Sequence, residues 1–337
     1  MIYYRPLAQQ GPRPQGALPL AGGWCWFAEA ERLERGQPPQ RVPVSGIPPD
    51  WLTALTTARA AVAGVPHDAP CLMGILNVTP DSFSDGGLFV DADAAVAQAQ
   101  AMCAAGAAIL DIGGESTRPG AEPVDVATEI RRTAPLIAAL HHANPGLPIS
   151  IDTRKAAVAA AALAAGAALV NDVSGLAYGP GMAAVVAKAG VPVCLMHAQG
   201  TPETMQRDPR YGDVLLDVYD ALGERIAFAM AAGIAQNRIV VDPGIGFGKT
   251  VAHNLALIRG ISLFHGLGCP VLLGASRKGF IGTIAGISDP MDRMPGSVAV
   301  ALTAVAQGVQ MLRVHDVAAT RQALDLWQAI ALLERQD

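Results

Sequence analysis

Residues 148–172 read PISIDTRKAAVAAAALAAGAALVND, and this stretch decides the fold class. Two short apolar runs, Pro148–Asp152 and Ala168–Asp172, flank the Ala-rich segment Lys155–Ala165, which is typical of a helix. The runs are apolar without alternation, which predicts strands that are covered on both faces. A strand, a helix and a second strand in this order predict two parallel strands joined by a crossover helix.

The same pattern repeats between residue 71 and the end of the chain. Six further apolar runs predict strands at Leu72–Asn77, Ala108–Gly113, Val193–His197, Arg238–Asp242, Val271–Ala275 and Gln310–Val314. Helices are predicted between them, for example at Asp93–Ala105, Asp213–Ala232, His253–Leu263 and Ala318–Leu333. Eight such units after residue 70 predict an α/β fold, a (β/α)8 TIM barrel, which takes roughly 250 residues. A doubly wound open sheet is the alternative.

Polar residues at the ends of these runs favour the barrel over the open sheet. Nearly every run ends in a polar group or is followed by one: Asn77, Glu115, Asp152, Asn171, Asp172, His197, Asp242, Ser276 and Arg313. The carboxyl ends of barrel strands meet at one rim, so these groups would share a pocket. An open sheet would spread them along an edge.

Residues 1–70 have a different composition and are predicted to form an N-terminal extension, with the barrel at 71–337. The extension holds three of the four tryptophans, Trp24, Trp26 and Trp51. Short strands and one helix, capped by Asp50 and running through Ala63, are expected. We expect the tryptophans to pack on the outside of the barrel or on a partner subunit, and the extension to be dispensable for chemistry.

Composition excludes several classes of protein. The chain has 337 residues, a net charge of −5 and a mean hydropathy of +0.31, but no apolar run long enough to suggest a membrane helix or a secretory signal. Its five cysteines form no CxxC pair, so a cytoplasmic protein with reduced thiols is expected. The mild acidity argues against nucleic acid as a partner.

Two loops carry groups suited to binding. Residues 73–87 leave the first strand through Asn77 into a polar loop that is longer than a minimal connection. Residues 113–120 read GGESTRPG, where glycines allow close approach of a ligand and Arg118 can hold an anionic oxygen with two hydrogen bonds. A solvated arginine is the alternative for Arg118.

Three polar residues end apolar strands, namely Asp152, Asn171 and Asp242. Carboxylates deep in a barrel mouth need partners, and the NH and NH₂ groups of a heterocycle would supply them. The alternative is that each residue caps the following helix. Residues 242–250, DPGIGFGKT, fit neither the Walker spacing nor GxGxxG, so no nucleotide site is predicted there.

Basic residues follow the last two strands, in Ser276-Arg277-Lys278 and Arg313-Val314-His315. The loops after strands seven and eight of a barrel frequently bind phosphate. These four potential cations therefore indicate an anionic substrate group, unless they form a solvated basic rim.

Taken together, these segments resemble dihydropteroate synthase. The matching pieces occur in that family's order: NVTPDSFSDGG (77–87), GGESTRPGA (113–121), IDTRK (151–155), VNDVSG (170–175), MH (196–197), DPGIGFGK (242–249), GASRKGFIG (274–282) and RVHDV (313–317). The resemblance spans residue 71 to about 320 and leaves residues 1–70 outside it. It implies a dimeric TIM barrel that joins a pterin diphosphate to p-aminobenzoate with the help of Mg²⁺.

The same resemblance assigns roles to individual residues. The pterin ring would bind Asp152, Asn171, Asp242 and Lys278, beside Met196, Phe247 and the stacked guanidinium of Arg313. Asn77 would bind Mg²⁺, while Arg118, Arg313 and His315 would contact the diphosphate. Thr117, Pro119, Ser276 and the loop of Phe83 would border the p-aminobenzoate site. Asp152, Lys278, Arg313 and Arg118 would be the catalytic residues, with Asp152 stabilising positive charge in the ring along a carbocation-like route.

Two other functions remain alternatives at this point. A pterin-binding methyltransferase that serves a corrinoid protein shares the barrel, but it has no diphosphate to bind with the SRK, RVHDV and STRPG segments. A pterin-binding protein that has lost catalysis would show damage at Asn77, Arg118, Lys278 or Arg313, and all four are intact.

Overall fold

A computed structural model describes residues 1–78, 88–116, 123–200 and 204–331, without the side chains of residues 88–93. Its largest sheet has eight parallel strands, in which neighbours follow the chain order and the first strand pairs with the last. A parallel bridge between Val241 and Val271 joins the two ends, which closes the sheet. The predicted TIM barrel is therefore confirmed.

The eight strands lie where the apolar runs predict them. Their bounds are β6 Cys71–Asn77, β7 Ile109–Gly113, β8 Ile149–Asp152, β9 Leu169–Asp172, β10 Val193–Met196, β11 Ile239–Asp242, β12 Leu272–Leu273 and β13 Met311–Val314. Almost every strand residue is buried, because one face lines the barrel and the other meets the helices. Each prediction was correct to within about two residues at either end.

Helices surround these strands. They are α2 Leu88–Ala104, α3 Val126–Ala143, α4 Ala156–Ala164, α5 Met182–Ala189, α6 Val214–Ala231, α7 Val251–Arg259, α8 Gly279–Ala285, α9 Met294–Val305 and α10 Val317–Ala331. The start of α6 is fixed by Asp213, whose side chain accepts hydrogen bonds from two backbone N–H groups of the first turn. The predicted helix His253–Leu263 was wrong at its end, because α7 stops before Gly260 and a 3₁₀ helix, Ile261–Leu267, follows.

The first 56 residues form small antiparallel sheets and one helix. Strands β1 Ile2–Pro6, β4 Glu29–Glu34 and β5 Gln40–Pro43 form one sheet, and β2 Leu18–Pro19 pairs with β3 Trp26–Phe27. Helix α1 spans Pro49–Thr56, so the prediction of a helix from Asp50 through Ala63 was wrong at both ends. Proline lacks the N–H that a helix interior needs, and Pro49 therefore suits the first helical position, which places Asp50 in the first turn instead of at the cap.

Two of the three tryptophans of this region hold it against the barrel helices. The ring of Trp51 stacks on Tyr219 of α6 with centroids 5.7 Å apart, and Nε1 of Trp24 donates to the carbonyl of Val305 in α9 over 2.9 Å. Trp26 instead bonds the carbonyl of Gly11 within the extension.

The segment that leads into β6 closes the lower end of the barrel. Val62 is fully buried and belongs to an apolar cluster with Met73 and Met311 of the barrel interior, and Val65 packs against the same cluster. This end lies opposite the rim that carries the polar strand ends, so Val62 covers the barrel interior at the amino ends of the strands. Among the described helices, none is both long and apolar enough to cross a bilayer.

Candidate active site

The carboxyl ends of β8, β9, β11 and β13 bring polar groups together at the barrel mouth. Nη2 of Arg313 donates to Oδ2 of Asp152 over 2.6 Å, and Asp152 lies beside Asn171 in the strand register. Asp152, Asn171 and Asp242 are all buried, whereas Arg313 is about one-fifth exposed. A Cβ at Gly274 would lie 3.4 Å from Oδ2 of Asp242 and 3.8 Å from Cδ of Arg313, so Asp242 faces the same place. The predicted convergence on one pocket is therefore observed for these four residues, which we call the pocket floor.

Asp111 completes the pocket floor and was missed by the sequence reasoning. It lies in the middle of β7 and is fully buried. Its Oδ2 accepts hydrogen bonds from Nε of Arg313 at 2.5 Å and from Nδ2 of Asn171 at 3.0 Å. One feature of the sequence could have revealed it. Asp111 is the only charged residue in the apolar run Ala108–Gly113, and a carboxylate is costly to bury without a partner.

None of the three polar strand ends caps a helix. The residue before α4 is Lys155, not Asp152, and it makes no side-chain cap. Oδ1 of Asp242 accepts the backbone N–H of Gly244 over 2.7 Å, far from the start of α7. Since Asn171 donates to Asp111, the helix-cap alternative is wrong for all three residues.

Burial sets the electrostatics of the pocket floor. It raises the pKa of Asp152, the neighbouring charge of Asp111 adds to this rise, and Arg313 opposes it. Burial likewise raises the pKa of Asp242 to about 6. Oδ1 of Asp152 and Oδ1 of Asp111 are buried and have no hydrogen-bond partner among the described residues. Two carboxylates therefore share one guanidinium and keep acceptor atoms for a ligand with N–H groups.

The loop after β11 forms one wall of this pocket. Gly244 has φ +68°, and a Cβ there would lie 1.9 Å from the carbonyl oxygen of His197, so only glycine fits. The loop returns Phe247 to the pocket, where Nζ of Lys278 lies 3.8 Å from the centre of its ring. Met196 is buried and pairs with Asp242 in the strand register.

Lys249, at the end of the same loop, does not face a phosphate. Its buried Nζ lies 2.9 Å from Nδ1 of His197 and donates to the carbonyl of Phe247 over 3.0 Å. Burial lowers the pKa of Lys249 to about 7, and burial together with this lysine lowers the pKa of His197 to about 3. This pair fixes the loop against β10 instead of supplying charge to a ligand.

Ser276 and His315 meet where the last two strands end. Oγ of Ser276 accepts the backbone N–H of His315 over 3.2 Å and lies 3.0 Å from its Nδ1. Arg277 between Ser276 and Lys278 has φ +58° and forms a two-point ion pair with Asp316, so it joins the two loops to each other. Of the four cations that were predicted to face an anion, Arg277 is instead paired with Asp316, and Arg313 is also paired with Asp111 and Asp152 of the pocket floor.

Glu115 and Asp172 are two of the polar strand ends that lie outside the pocket floor. Glu115 bonds the backbone N–H of Val124 over 3.0 Å and pairs with Lys155 over 3.1 Å. Asp172 accepts three hydrogen bonds from Ser174 and Leu176 of its own loop. Both carboxylates shape loops instead of facing a ligand.

Asn77, the predicted metal ligand, ends β6 and is half-buried. A Cβ at Gly113 would lie 3.2 Å from Oδ1 of Asn77 and 3.6 Å from Cβ of Asp152, so the absence of a side chain at Gly113 allows the Asn77 amide to lie close to β7 and Asp152. The described residues contain no group of three His, Cys, Asp or Glu side chains that could hold a metal ion. An amide oxygen suits Mg²⁺, which commonly takes one or two protein ligands and completes its shell with waters and phosphate.

Four predicted site residues, Phe83, Thr117, Arg118 and Pro119, lie outside the described residues.

Comparison with known proteins links this pocket to one family. The sequence profile of pterin-binding enzymes matches residues 73–315. A dihydropteroate synthase of Neisseria meningitidis serogroup B is 46% identical over 270 residues, which cover 79% of this chain and 94% of the relative. Residues 1–72, including the extension, precede the profile match.

Two solved structures are similar over the same region. Xanthomonas albilineans dihydropteroate synthase with 4-aminobenzoic acid has a TM-score of 0.76 and 48% identity, and the match covers 80% of this chain and 97% of that chain. A structure of the enzyme from the same organism in complex with 7,8-dihydropteroate has a TM-score of 0.73 and 45% identity, with 80% and 96% of the chains covered.

Proposed function

The chain belongs to the dihydropteroate synthases, a family of pterin-binding enzymes, and we propose that the pocket described above carries out their reaction. The enzyme is a transferase of folate biosynthesis. It condenses (7,8-dihydropterin-6-yl)methyl diphosphate with p-aminobenzoate to give 7,8-dihydropteroate and diphosphate. The observation that carries this function is a buried floor of carboxylates with unfilled acceptor atoms beside a basic rim.

The pterin ring binds the pocket floor. Its NH and NH₂ groups donate to Asp152, Asp242 and Asn171. Oδ1 of Asp152, which has no hydrogen-bond partner among the described residues, gains one in this way. Arg313, held from two sides by carboxylates, offers its planar face to the ring. Met196 and Phe247 line the pocket, and Lys278 over Phe247 adds a hydrogen-bond donor to the ring.

The diphosphate lies toward the ends of β6, β7 and β13. Asn77 would hold Mg²⁺ there, and His315, Arg118 and Arg313 contact the diphosphate oxygens. The metal, when bound, neutralises negative charge on the leaving group. Loss of turnover in excess chelator is expected, and full turnover under those conditions would contradict the metal's role.

The chemistry is the loss of diphosphate from the pterin methylene carbon. The C–O bond to diphosphate breaks, the amine nitrogen of p-aminobenzoate forms the new C–N bond, and its proton passes to water. The arylamine is neutral at neutral pH and needs no strong base. Asp152, buried against the ring, stabilises positive charge that spreads into the pterin as the leaving group departs. The basic residues at the rim hold the departing diphosphate.

The p-aminobenzoate site lies on the outer side of the pterin pocket. Ser276, fixed by its contact with His315, borders it, together with Thr117, Pro119 and the loop of Phe83. We place the enzyme in the cytoplasm as a homodimer whose only ligands are small molecules and Mg²⁺.

Calorimetry with two variants tests the site. Asp152→Ala and Asp242→Ala should each bind the pterin diphosphate measurably more weakly, because removing a charged hydrogen-bond partner costs about 1.5–3 kcal/mol of binding free energy. Asp208→Ala is the matched control, since Asp208 is exposed and pairs only with Arg210 among the described ion pairs. Wild-type affinity in both floor variants, with folding intact, would overturn the assignment of the pocket floor.

A further inference from the structure

We propose that Ser297, in the first turn of α9, is a positioning residue that holds the turn Ala275–Lys278 in the conformation that the substrates require. The proposal rests on the function proposed above and deepens it, because Ser276 and Lys278 of this turn are assigned to p-aminobenzoate and to the pterin. Ser297 belongs to none of the sequence motifs that carry the resemblance to the family.

The turn Ala275–Lys278 has an unusual backbone. The N–H of Lys278 donates to the carbonyl of Ala275 over 3.3 Å, which closes a four-residue turn. Arg277, the third residue of this turn, has φ +58°. A positive φ at this position favours glycine or asparagine, because the side chains of other residues lie too close to the backbone carbonyl. An arginine there raises the energy of the turn, so other contacts must stabilise it.

The start of α9 supplies those contacts at the backbone of Arg277. Oγ of Ser297 accepts the backbone N–H of Arg277 over 2.8 Å, and Nη1 of Arg293 donates to its carbonyl over 3.2 Å. The Ser297 hydroxyl is buried and donates its own proton to the carbonyl of Arg293 over 2.9 Å, which fixes its orientation. Both backbone polar groups of Arg277 are thus held from one helix start, whereas the ion pair with Asp316 holds only the side chain.

Arg277 separates two residues that contact different parts of the site. Oγ of Ser276 lies 3.0 Å from Nδ1 of His315, at the end of β13, whereas Nζ of Lys278 lies over the ring of Phe247, in the loop after β11. A change of φ at Arg277 from positive to negative redirects the chain between them, so the two side chains cannot both keep these places. Loosening of this turn should therefore weaken the binding of the pterin and of p-aminobenzoate together.

The expected kinetic signature is a rise in KM without a fall in kcat. A hydrogen bond and a left-handed residue correspond to free energies of the same order, so without the Ser297 hydroxyl the turn also populates another conformation. Affinity then falls in proportion to the competent fraction, whereas substrates at saturation select that fraction. A purely structural role would lower kcat or the melting temperature and would leave KM unchanged.

Ser297→Ala tests the proposal directly. Calorimetry with a pterin alcohol, which lacks the diphosphate, should show about fivefold weaker binding, and the KM for p-aminobenzoate should rise by a similar factor, with kcat within about twofold of the wild type. Thr303→Ala is the matched control, because the exposed Thr303 hydroxyl also donates to a carbonyl four residues earlier on α9, that of Ala299, over 2.8 Å. This control should leave both values unchanged.

Substitutions of Arg277 separate the backbone effect from the loss of the guanidinium. Arg277→Ala and Arg277→Gly both remove the ion pair with Asp316, but only glycine takes a positive φ without cost. Arg277→Gly should therefore bind the pterin alcohol about three- to tenfold more tightly than Arg277→Ala. Adding Ser297→Ala should weaken binding about fivefold in the Arg277→Ala background and by less than about twofold in the Arg277→Gly background.

The proposal fails if Ser297→Ala keeps wild-type affinity for the pterin alcohol, if Thr303→Ala loses as much affinity, or if kcat falls while KM stays unchanged. It also fails if Ser297→Ala has the same effect in both Arg277 backgrounds. Should Ser297→Ala not fold, Ser297→Cys replaces it, because the thiol has a similar size and accepts hydrogen bonds only weakly. A wild type that forms no dihydropteroate would refute the proposed function. An active wild type whose Ser297→Ala variant keeps both its affinity and its KM would refute this inference alone.

Discussion

Nη2 of Arg313 donates to Oδ2 of Asp152 over 2.6 Å, which links β13 to β8 at the mouth of the barrel. Asp111 takes a second bond from the same guanidinium, so one cation balances two buried carboxylates. Asp242 adds a third buried carboxylate nearby. The pocket floor therefore holds three buried carboxyl groups beside one guanidinium, an arrangement that favours a ligand with N–H groups.

The pH dependence of pterin binding follows from this excess. Burial raises the pKa of Asp242 to about 6 and raises that of Asp152 as well. The bound ring donates to both carboxylates and so favours their ionised forms. Affinity should therefore fall as pH falls through about 6, by roughly tenfold per pH unit for one required proton loss.

The free protein should show the opposite trend in stability. A carboxyl whose pKa is raised by folding stabilises the fold while it is protonated, and that contribution is lost as pH rises from its unfolded pKa through its folded pKa. The free protein should lose this stability as the pH rises from about 4, the pKa of an unfolded aspartate, to the raised pKa values of Asp152 and Asp242 in the folded state.

The predicted pH dependence of pterin binding is tested by titration with a pterin alcohol, which has no diphosphate to titrate. An affinity for this ligand that is constant from pH 5 to pH 8 would contradict the predicted pH dependence of binding.

The ion pair between Arg277 and Asp316 should control diphosphate binding. Arg277 holds a left-handed backbone between Ser276 and Lys278, and its guanidinium pairs with Asp316 next to His315. Asp316→Asn should raise the KM for the pterin diphosphate about fivefold, because the two loops lose the ion pair that joins them. This change corresponds to a free energy of about 1 kcal/mol.

The matched control for this variant is Asp325→Asn. Asp325 pairs with Arg321 on the same helix but is 65% exposed, so its loss should leave the KM unchanged. Equal KM values in both variants and the wild type would show that the ion pair does not position the diphosphate loops.

The strands and the polar pocket could be predicted from sequence because both depend on local order along the chain. Apolar runs that end in polar residues predict strand ends, and parallel strands bring those ends to one rim. Asp111 could not be predicted in the same way, because its partners Asn171 and Arg313 are 60 and 202 positions away. The pairing of Arg277 with Asp316 also depends on contact between loops, whereas the sequence alone predicts that Arg277 faces the anionic substrate.

Truncation of the extension should separate stability from activity. A chain that begins at residue 58 keeps Val62 and Val65 under the barrel but loses the contact of Trp51 with Tyr219. It should unfold at a lower temperature and still turn over. A chain that begins at residue 67 also lacks Val62 and Val65 at the lower end of the barrel. The loss of buried Val62 alone should lower the free energy of unfolding by a further amount of about 1.5–3 kcal/mol.

Melting temperature and turnover of both truncated chains check this prediction. The wild-type chain is the reference for each measurement. A folded chain from residue 58 that has no activity would show that the extension shapes the active site.

The most direct test of the account is release of diphosphate from (7,8-dihydropterin-6-yl)methyl diphosphate, measured with and without p-aminobenzoate and with Asp152→Ala as the comparison. The account predicts that release with p-aminobenzoate is matched one-to-one by 7,8-dihydropteroate, and that Asp152→Ala loses this activity. A wild-type protein that binds the pterin diphosphate yet forms no dihydropteroate would contradict it.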